Sequence, residues 1–220
     1  MAVQRQYEEE ANTFGDDFDI NARPEQATST AVKSGWDAAT SLTTSSSTEF
    51  PVEFKCTEEM QIIKFLDPSG PFASYKLHFL QNKPGKKSYV SIGDNDPLIT
   101  VLGNKPEDKR AFTIANLRAP GGPQRQMLIA TPRLFRTLHA AEFSPQGPLT
   151  KHYWGLSKSG TKQTTTYHLT AIKARDLKED WNIDAEAVEV EIAKMKCFTR
   201  ADIKEHSYDE LLQIAKDLSA

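Results

Sequence analysis

Short strand-like segments follow one another closely between residues 50 and 172, and they constrain the fold more than any other feature of the chain. Turn sequences such as Asp67–Pro71 and Ser159–Thr161 separate them. Closely spaced strands and turns are typical of antiparallel barrels and sandwiches. Phe72–Gln81 fits either a strand or a helical turn that leads into a strand. About seven strands are expected from eight candidate segments, and the other seven candidates are Phe50–Lys55, Gln61–Leu66, Ser88–Ile92, Lys109–Leu117, Gln126–Ala130, Tyr153–Lys158 and Thr164–Ile172.

Helices are predicted at one place within this series and at two places after it. Thr131 suits an N-cap and Pro132 suits the first helical position, which predicts a helix over Pro132–Glu142. Asp184–Lys196 and Ser207–Leu218 carry apolar residues at helical spacing. The pattern therefore predicts a mainly β fold with appended helices, in which the strands form a Greek-key barrel like that of the oligonucleotide-binding (OB) fold.

Charge divides the chain into three parts. Residues 1–50 carry 3 Lys or Arg against 9 Asp or Glu, residues 51–180 carry 19 against 12, and residues 181–220 carry 5 against 9. The acidic, Ser- and Thr-rich first part cannot bury enough apolar surface to offset the entropy of ordering. We expect a disordered segment at 1–48, a basic OB-fold-like domain at 49–183 and a helical C-terminal tail at 184–220.

The hairpin predicted within Thr150–Trp181 alternates cations with aromatic rings, and Phe72–Lys87 repeats that pattern. Cations neutralise phosphates and rings stack on unpaired bases, so both segments predict a single-stranded nucleic-acid surface. The alternative is an ordinary hairpin with core aromatics and a solvated rim. Tyr153 and Trp154 are adjacent and face opposite sides of a strand, so we expect Trp154 in the core and Tyr153 towards bases. The candidate DNA-binding residues are Lys64, Tyr75, Lys76, Lys86, Lys87, Tyr89, Lys109, Arg110, Tyr153, Lys158, Lys162, Tyr167 and Lys173.

Catalytic and metal-binding motifs are not found in the sequence. It contains no GxxxxGK[ST], GxSxG or HExxH pattern, and Cys56 and Cys197 stand far apart outside any CxxC. The acidic residues from Asp94 to Asp108 lie among lysines and an arginine, which is typical of a solvated loop. We expect no enzymatic activity, catalytic residue, cofactor or metal. We also expect no membrane partner, because no apolar run of about 18 residues occurs.

The order of several motifs resembles a known family. The most specific motifs are PFASY at Pro71–Tyr75 and KARDLKEDW at Lys173–Trp181, within a match from about Trp36 to Asp184. The chain resembles the single-stranded DNA-binding proteins of actinobacterial phages, which are distantly similar to the helix-destabilising protein of T-even phages. The resemblance implies an OB fold that coats exposed DNA strands cooperatively, by self-association along the DNA. It also implies a C-terminal tail that contacts replication and recombination proteins.

This resemblance implies roles in phage DNA replication, recombination and repair in the host bacterial cytoplasm. One motif departs from the family. Relatives carry Cys-Pro-x-Cys as part of a small zinc site where this chain has Asp96–Pro97–Leu98–Ile99. Zinc is therefore not expected, and the loop must be held by packing. Two other functions fit the same sequence, namely a recombination mediator that anneals single strands and a virion or scaffold component.

Overall fold

The computed structural model describes residues 51–161 and 164–219. The prediction for segment 1–48 and the candidate residue Lys162 lie outside this range. Residues Glu49–Ala220 form one compact unit by their contacts. The strands are β1 (Gln61–Phe65), β2 (Ala73–Phe79), β3 (Ser88–Val90), β4 (Glu107–Asn116), β5 (Gln124–Ala130), β6 (Tyr153–Ser159) and β7 (Thr166–Ile172).

The helices lie after β3, after β5 and after β7. They are α1 (Pro97–Thr100), α2 (Pro132–Glu142), α3 (Ala174–Trp181), α4 (Ala185–Ile192) and α5 (Tyr208–Ser219). The bounds of α2 are those that its sequence predicts. The Thr131 side chain accepts a hydrogen bond from the Leu134 amide at 3.4 Å, and Pro132 occupies the first turn. Both residues thus perform the capping roles that their types favour.

All seven strands belong to one antiparallel sheet with β4 at its centre. One edge of β4 pairs with β5, and the other edge pairs with β2 and then with β1. The strand order along the main path is β3-β2-β4-β1-β6-β7. The mainly β class with appended helices is therefore confirmed. The sheet is open along this path, because no strand pairing within residues 51–161 and 164–219 joins β7 to β5 or to β3.

The main core lies on the side of the sheet that α2 covers. Leu134 and Leu138 of α2 are buried there with large residues of β1, β4 and β6. The Phe65 and Phe112 rings meet edge to face, with centroids 5.7 Å apart. Trp154 is 1% exposed, and its indole nitrogen donates to the Leu149 carbonyl at 2.7 Å. Because its one polar group is satisfied, this indole can be fully buried, as its position in the pattern predicts.

The other side of the sheet is covered by chain that follows β7. Tyr153 and Ile62 pack with Leu177 of α3 and with Val188 and Ile192 of α4. Side chains alternate along a strand, so Tyr153 and Trp154 belong to two different clusters. Both faces of β1 and of the first five residues of β6 are therefore largely buried.

The segment after α4 continues across the sheet. Phe198 and Ile203 pack against Ala111 and Met127. Helix α5 then places Leu211 and Ala215 against Leu80, Tyr89 and Leu98. Residues 184–219 thus supply apolar side chains to three clusters. Asp184, predicted as a domain boundary, is the N-cap of α4 and marks no gap in the packing.

A buried polar network holds the loop around α1. His78 and Asp96 are both fully buried, with Nε2 of the imidazole 3.2 Å from Oδ2 of the carboxylate. The other ring nitrogen lies 2.8 Å from Oδ1 of Asn104. Asp96 also caps α1 by accepting from the Leu98 amide at 2.8 Å. Packing through Leu98 is therefore joined by a buried hydrogen bond between His78 and Asp96, and both hold this loop.

Candidate nucleic-acid interface

Four of the candidate residues lie on the side of the sheet opposite α2, which we call the basic side. Tyr75 pairs with Lys109 across β2 and β4. Lys64 pairs with Ala115 across β1 and β4. Cross-strand partners share a side, and so do alternate residues of one strand. Lys64, Tyr75, Lys109 and Tyr153 therefore point the same way, although the sequence separates them widely.

A groove of about 520 Å³ opens on the basic side between the sheet and α4. Its lining includes Lys64, Tyr153, Lys173 and Glu189. The Lys64 ammonium lies 4.5 Å from the centroid of the Tyr153 ring and 3.0 Å from Oε1 of Glu189. The Tyr153 hydroxyl donates to the same carboxylate oxygen. The Glu189 carboxylate of α4 thus neutralises the Lys64 cation. It also accepts a hydrogen bond from Tyr153, the ring that the sequence predicts to face DNA bases.

The Glu189 carboxylate and the Tyr153 hydroxyl, which are hydrogen-bonded to each other, both have shifted pKa values. Burial alone would raise the pKa of Glu189, but the hydrogen bonds from Tyr153 and Lys64 and the Lys64 charge outweigh it, so the pKa is lowered. Burial raises the pKa of Tyr153, and the hydrogen bond to Glu189 and its charge raise it further. The carboxylate is therefore the charged partner, and the phenol keeps its proton as a donor.

The placement of Tyr153 corrects one expectation. Its side chain is in the cluster under α3 and α4, and the residue is only 3% exposed. Tyr89 is similarly buried at 4% exposed, with its hydroxyl donating to the Lys86 carbonyl at 2.9 Å. Neither ring is open to stack on a base in this structure. The sequence pattern identified the two rings but could not show that C-terminal helices cover them.

A second groove of about 560 Å³ lies beside β2 and β3. Phe72, Tyr75, Lys76 and Arg200 contribute to its walls. Tyr75 is half-buried, and burial together with the Glu53 charge raises its pKa to about 12. Lys76 is exposed, and the Arg200 guanidinium pairs with Glu205 at 3.2 Å. Phe72, Tyr75 and the Arg200 cation therefore border one open groove, a combination that suits unpaired nucleotides. The side chain of Lys76, next to Tyr75 on β2, points to the opposite side of the sheet.

The remaining described candidates fall in other places. Lys86 and Lys87 are exposed in the β2–β3 turn, where the Lys87 ammonium donates to the Gln81 carbonyl at 2.9 Å. Arg110, Lys158 and Tyr167 lie on the α2 side. The Arg110 guanidinium lies 4.3 Å from the Phe135 ring centroid, and Tyr167 packs against the main core. The structure therefore does not bring these three together with the basic side.

Several residues of the interface were not predicted from the sequence. Glu189 and His206 reach Lys64 of β1 and Tyr89 of β3 from more than a hundred residues away in the chain, and Arg200 lines the second groove. Arg125 extends from β5, where its guanidinium lies 4.3 Å from the Phe198 ring centroid and donates to the Lys196 carbonyl at 2.8 Å. No local sequence pattern predicts contacts between residues so far apart in the chain. The one related signal in the sequence is the acidic charge of its C-terminal part.

Comparison with family models, with curated proteins and with solved structures finds no match for this chain. Within the part of the chain that the structure describes, no three His, Cys, Asp or Glu side chains form a group that could hold a metal ion. None of the helices among residues 51–161 and 164–219 is long and apolar enough to cross a membrane.

Proposed function

We propose that the protein binds single-stranded DNA without sequence preference and protects exposed strands during phage DNA replication, recombination and repair. One observation carries the proposal: the basic side of a single sheet has two grooves that cations border, and a half-buried ring lies in one of them. Lys64 and Lys173 line the first, and Arg200 with Tyr75 lines the second. Cations track a phosphate backbone and rings stack on bases of any type, so this arrangement suits binding that ignores sequence.

The connection of the strands supports an OB-like arrangement as part of this proposal. Strand β1 pairs with β4 on one side and β6 on the other, and each of these continues into a hairpin, β4–β5 or β6–β7. Helix α2 connects the two hairpins. Five strands with a helix in this order are typical of OB folds, which bind oligonucleotides on the second and third strands and in adjoining loops. Here those strands are β4 and β5, whose outer side is the basic side.

The C-terminal segment covers much of that surface. Phe198 and Ile203 pack onto β4 and β5, and Glu189 takes up the Lys64 cation. We therefore propose that DNA enters along the open grooves beside this segment and competes with Glu189 for Lys64. The same segment, 184–220, is the part that we propose to contact replication and recombination proteins. As part of the same proposal, the protein acts in the cytoplasm of the bacterium that the phage infects.

The test is a salt titration of the full chain with a labelled single-stranded oligonucleotide and with a duplex of equal length. We expect preference for the single strand, with log K falling linearly against log salt by about 0.7 for each phosphate neutralised. Oligonucleotides of mixed sequence should differ little in affinity. Binding that does not change between low and high salt, or that favours the duplex, would contradict the proposal.

A further inference from the structure

A cluster of cations surrounds one buried ring at the β2–β3 turn. The ammonium groups of Lys83 and Lys86 lie 5.7 and 5.2 Å from the centroid of the Tyr89 ring. The His206 ring lies 5.2 Å from the same ring, with its Nε2 atom 3.0 Å from the Lys86 ammonium. Lys204 acts electrostatically on both Lys86 and His206. We call Lys83, Lys86, Lys204 and His206 the lysine cluster.

The fold fixes these like charges close to one another. Tyr89 is buried and is tied to the turn by the bond from its hydroxyl to the Lys86 carbonyl. The pKa of Lys86 is lowered by burial first and then by the charges of Lys204 and Lys83. Glu210 of α5 is the one acid that acts on Lys86, and it raises this pKa. The repulsion among the cations is therefore only partly compensated, which favours an added anion.

The hydrogen bonds of His206 define its state in this cluster. An ammonium group has donors only, so Nε2 of His206 must accept from Lys86. The other nitrogen, Nδ1, then carries the proton and donates to Oε2 of Glu210 at 3.2 Å. Burial lowers the pKa of His206, and Lys86 and Lys204 lower it further, while Glu210 opposes them. The ring is thus neutral and has one nitrogen ready to take up a proton.

We propose that the lysine cluster binds one phosphate group of a nucleic-acid backbone, and that His206 takes up a proton from solvent as the phosphate enters. Phosphate oxygens are strong acceptors, so they replace Nε2 as the acceptor for the Lys86 ammonium. The released Nε2 then becomes a second donor to the phosphate once it is protonated. The inference rests on the proposed function and adds to it a specific backbone contact whose strength depends on pH.

Three charged groups act directly on His206 and enter this balance. Glu210 approaches from α5, Lys86 from the turn and Lys204 from the preceding segment, while Lys83 acts on Lys86. Glu210 stays ionised through the range of interest, because bonds from the Ser207 amide and from His206 lower its pKa. His206 is therefore the group of the cluster whose charge changes between pH 8 and pH 6.

The experiment measures the affinity of the full chain for a labelled single-stranded oligonucleotide at pH 6, 7 and 8 and constant ionic strength. Wild-type affinity should rise as pH falls, by at most about tenfold per pH unit, the limit for uptake of one proton. His206→Gln keeps a neutral polar side chain, and its affinity should be independent of pH across this range. A pH dependence that is unchanged in His206→Gln would overturn the inference.

A salt titration of Lys86→Gln tests the phosphate contact itself. The slope of log K against log salt should decrease by about 0.7, the value for one phosphate on a single strand. Lys216→Gln, which removes an exposed cation from α5, is the charge-matched control and should leave the slope unchanged. An unchanged slope in Lys86→Gln would overturn the inference. Because Lys86 is exposed on a turn, this variant is expected to fold.

The ring signal of His206 in NMR spectra distinguishes the sources of phosphate. The oligonucleotide should shift this signal and raise the pKa of the ring, whereas inorganic phosphate at the same phosphate concentration should have little effect. An equal effect of inorganic phosphate would overturn the assignment to a backbone. A wild-type chain that binds no oligonucleotide would overturn the proposed function as well. Normal binding with no change at His206 would overturn this inference alone.

Discussion

Glu189 is the residue on which the state of the first groove depends. Its carboxylate oxygen accepts from both Lys64 and Tyr153, so one acid occupies the position beside Lys64 that a phosphate would contact. The Lys64 side chain is 16% exposed, whereas that of Glu189 is 49% exposed. The carboxylate can therefore leave the groove by rotating towards solvent. The cation stays in place on its strand.

Glu189→Gln should increase the affinity for single-stranded DNA. We expect about a fivefold effect, which corresponds to about 1 kcal/mol for a solvent-screened charge. Oligonucleotide titration measures this, with Glu191→Gln as the control, because Glu191 lies on the same helix and pairs with Lys194 instead. An equal gain in both variants would indicate a general charge effect and contradict the specific role of Glu189.

The same substitution should alter the pH dependence of stability. The pKa of Glu189 is lowered in the folded state, so its contribution to stability is present above its unfolded pKa and is lost as pH falls through the folded value. Glu189→Gln should lower the unfolding free energy at neutral pH by no more than about 1 kcal/mol, because the carboxylate is half exposed. Urea unfolding at neutral and acid pH should show this difference disappear in acid.

The buried hydrogen bond between His78 and Asp96 leads to a further prediction at the residue scale. Asp96→Asn weakens the acceptor for a fully buried imidazole and for the Ile92 and Leu98 amides, and should destabilise the fold by about 3 kcal/mol. Denaturant unfolding measures the loss. Asp94→Asn, at an exposed position of the same loop, should have no measurable effect. A small loss in Asp96→Asn would mean that the pair does not hold the loop.

At the scale of secondary-structure elements, the sequence predicts the helices and hairpins whose caps, turns and apolar positions lie close together in the chain. Helix α2 is predicted with its observed bounds, because the cap and the proline lie beside its apolar positions. The hairpin β6–β7 is also predicted, and Gly160 adopts the positive φ of 75° that its turn requires. Helix α3 is not predicted, since its polar sequence buries only Leu177. Phe50–Lys55 is predicted as a strand, yet its described part forms only a bridge from Glu53 to Met127.

The prediction at this scale concerns the effect of deleting the C-terminal elements. The net acidic charge of residues 181–220, taken alone, predicts that deleting residues 184–220 tightens DNA binding. The structure changes this expectation, because Val188, Phe198 and Leu211 are buried against the sheet. Deletion should abolish cooperative unfolding, as followed by circular dichroism in urea, and Leu211→Ala alone should cost about 2–5 kcal/mol. A truncated chain that unfolds as cooperatively as the full chain would contradict this.

For the whole molecule, the sequence predicts the class of fold better than the site. The basic middle and acidic end are visible as composition, but their contact is not, because Lys64 and Glu189 are 125 residues apart. Of the predicted rings, Tyr75 borders an open groove, whereas Tyr89 and Tyr153 are buried by helices that come later in the chain. Alternation along a strand gives the side of each residue. It cannot tell which side a distant segment will cover.

The path of residues 184–219 over the sheet also has a consequence for synthesis on the ribosome. Strands β1 to β7 emerge first, with the apolar residues Ala111, Met127 and Leu80 not yet covered, because Phe198, Ile203 and Leu211 follow the strands in the chain. The nascent chain therefore exposes its basic side until α5 has emerged. During that interval it presents both apolar surface and cations, and this surface closes only once residues 184–219 have been synthesised.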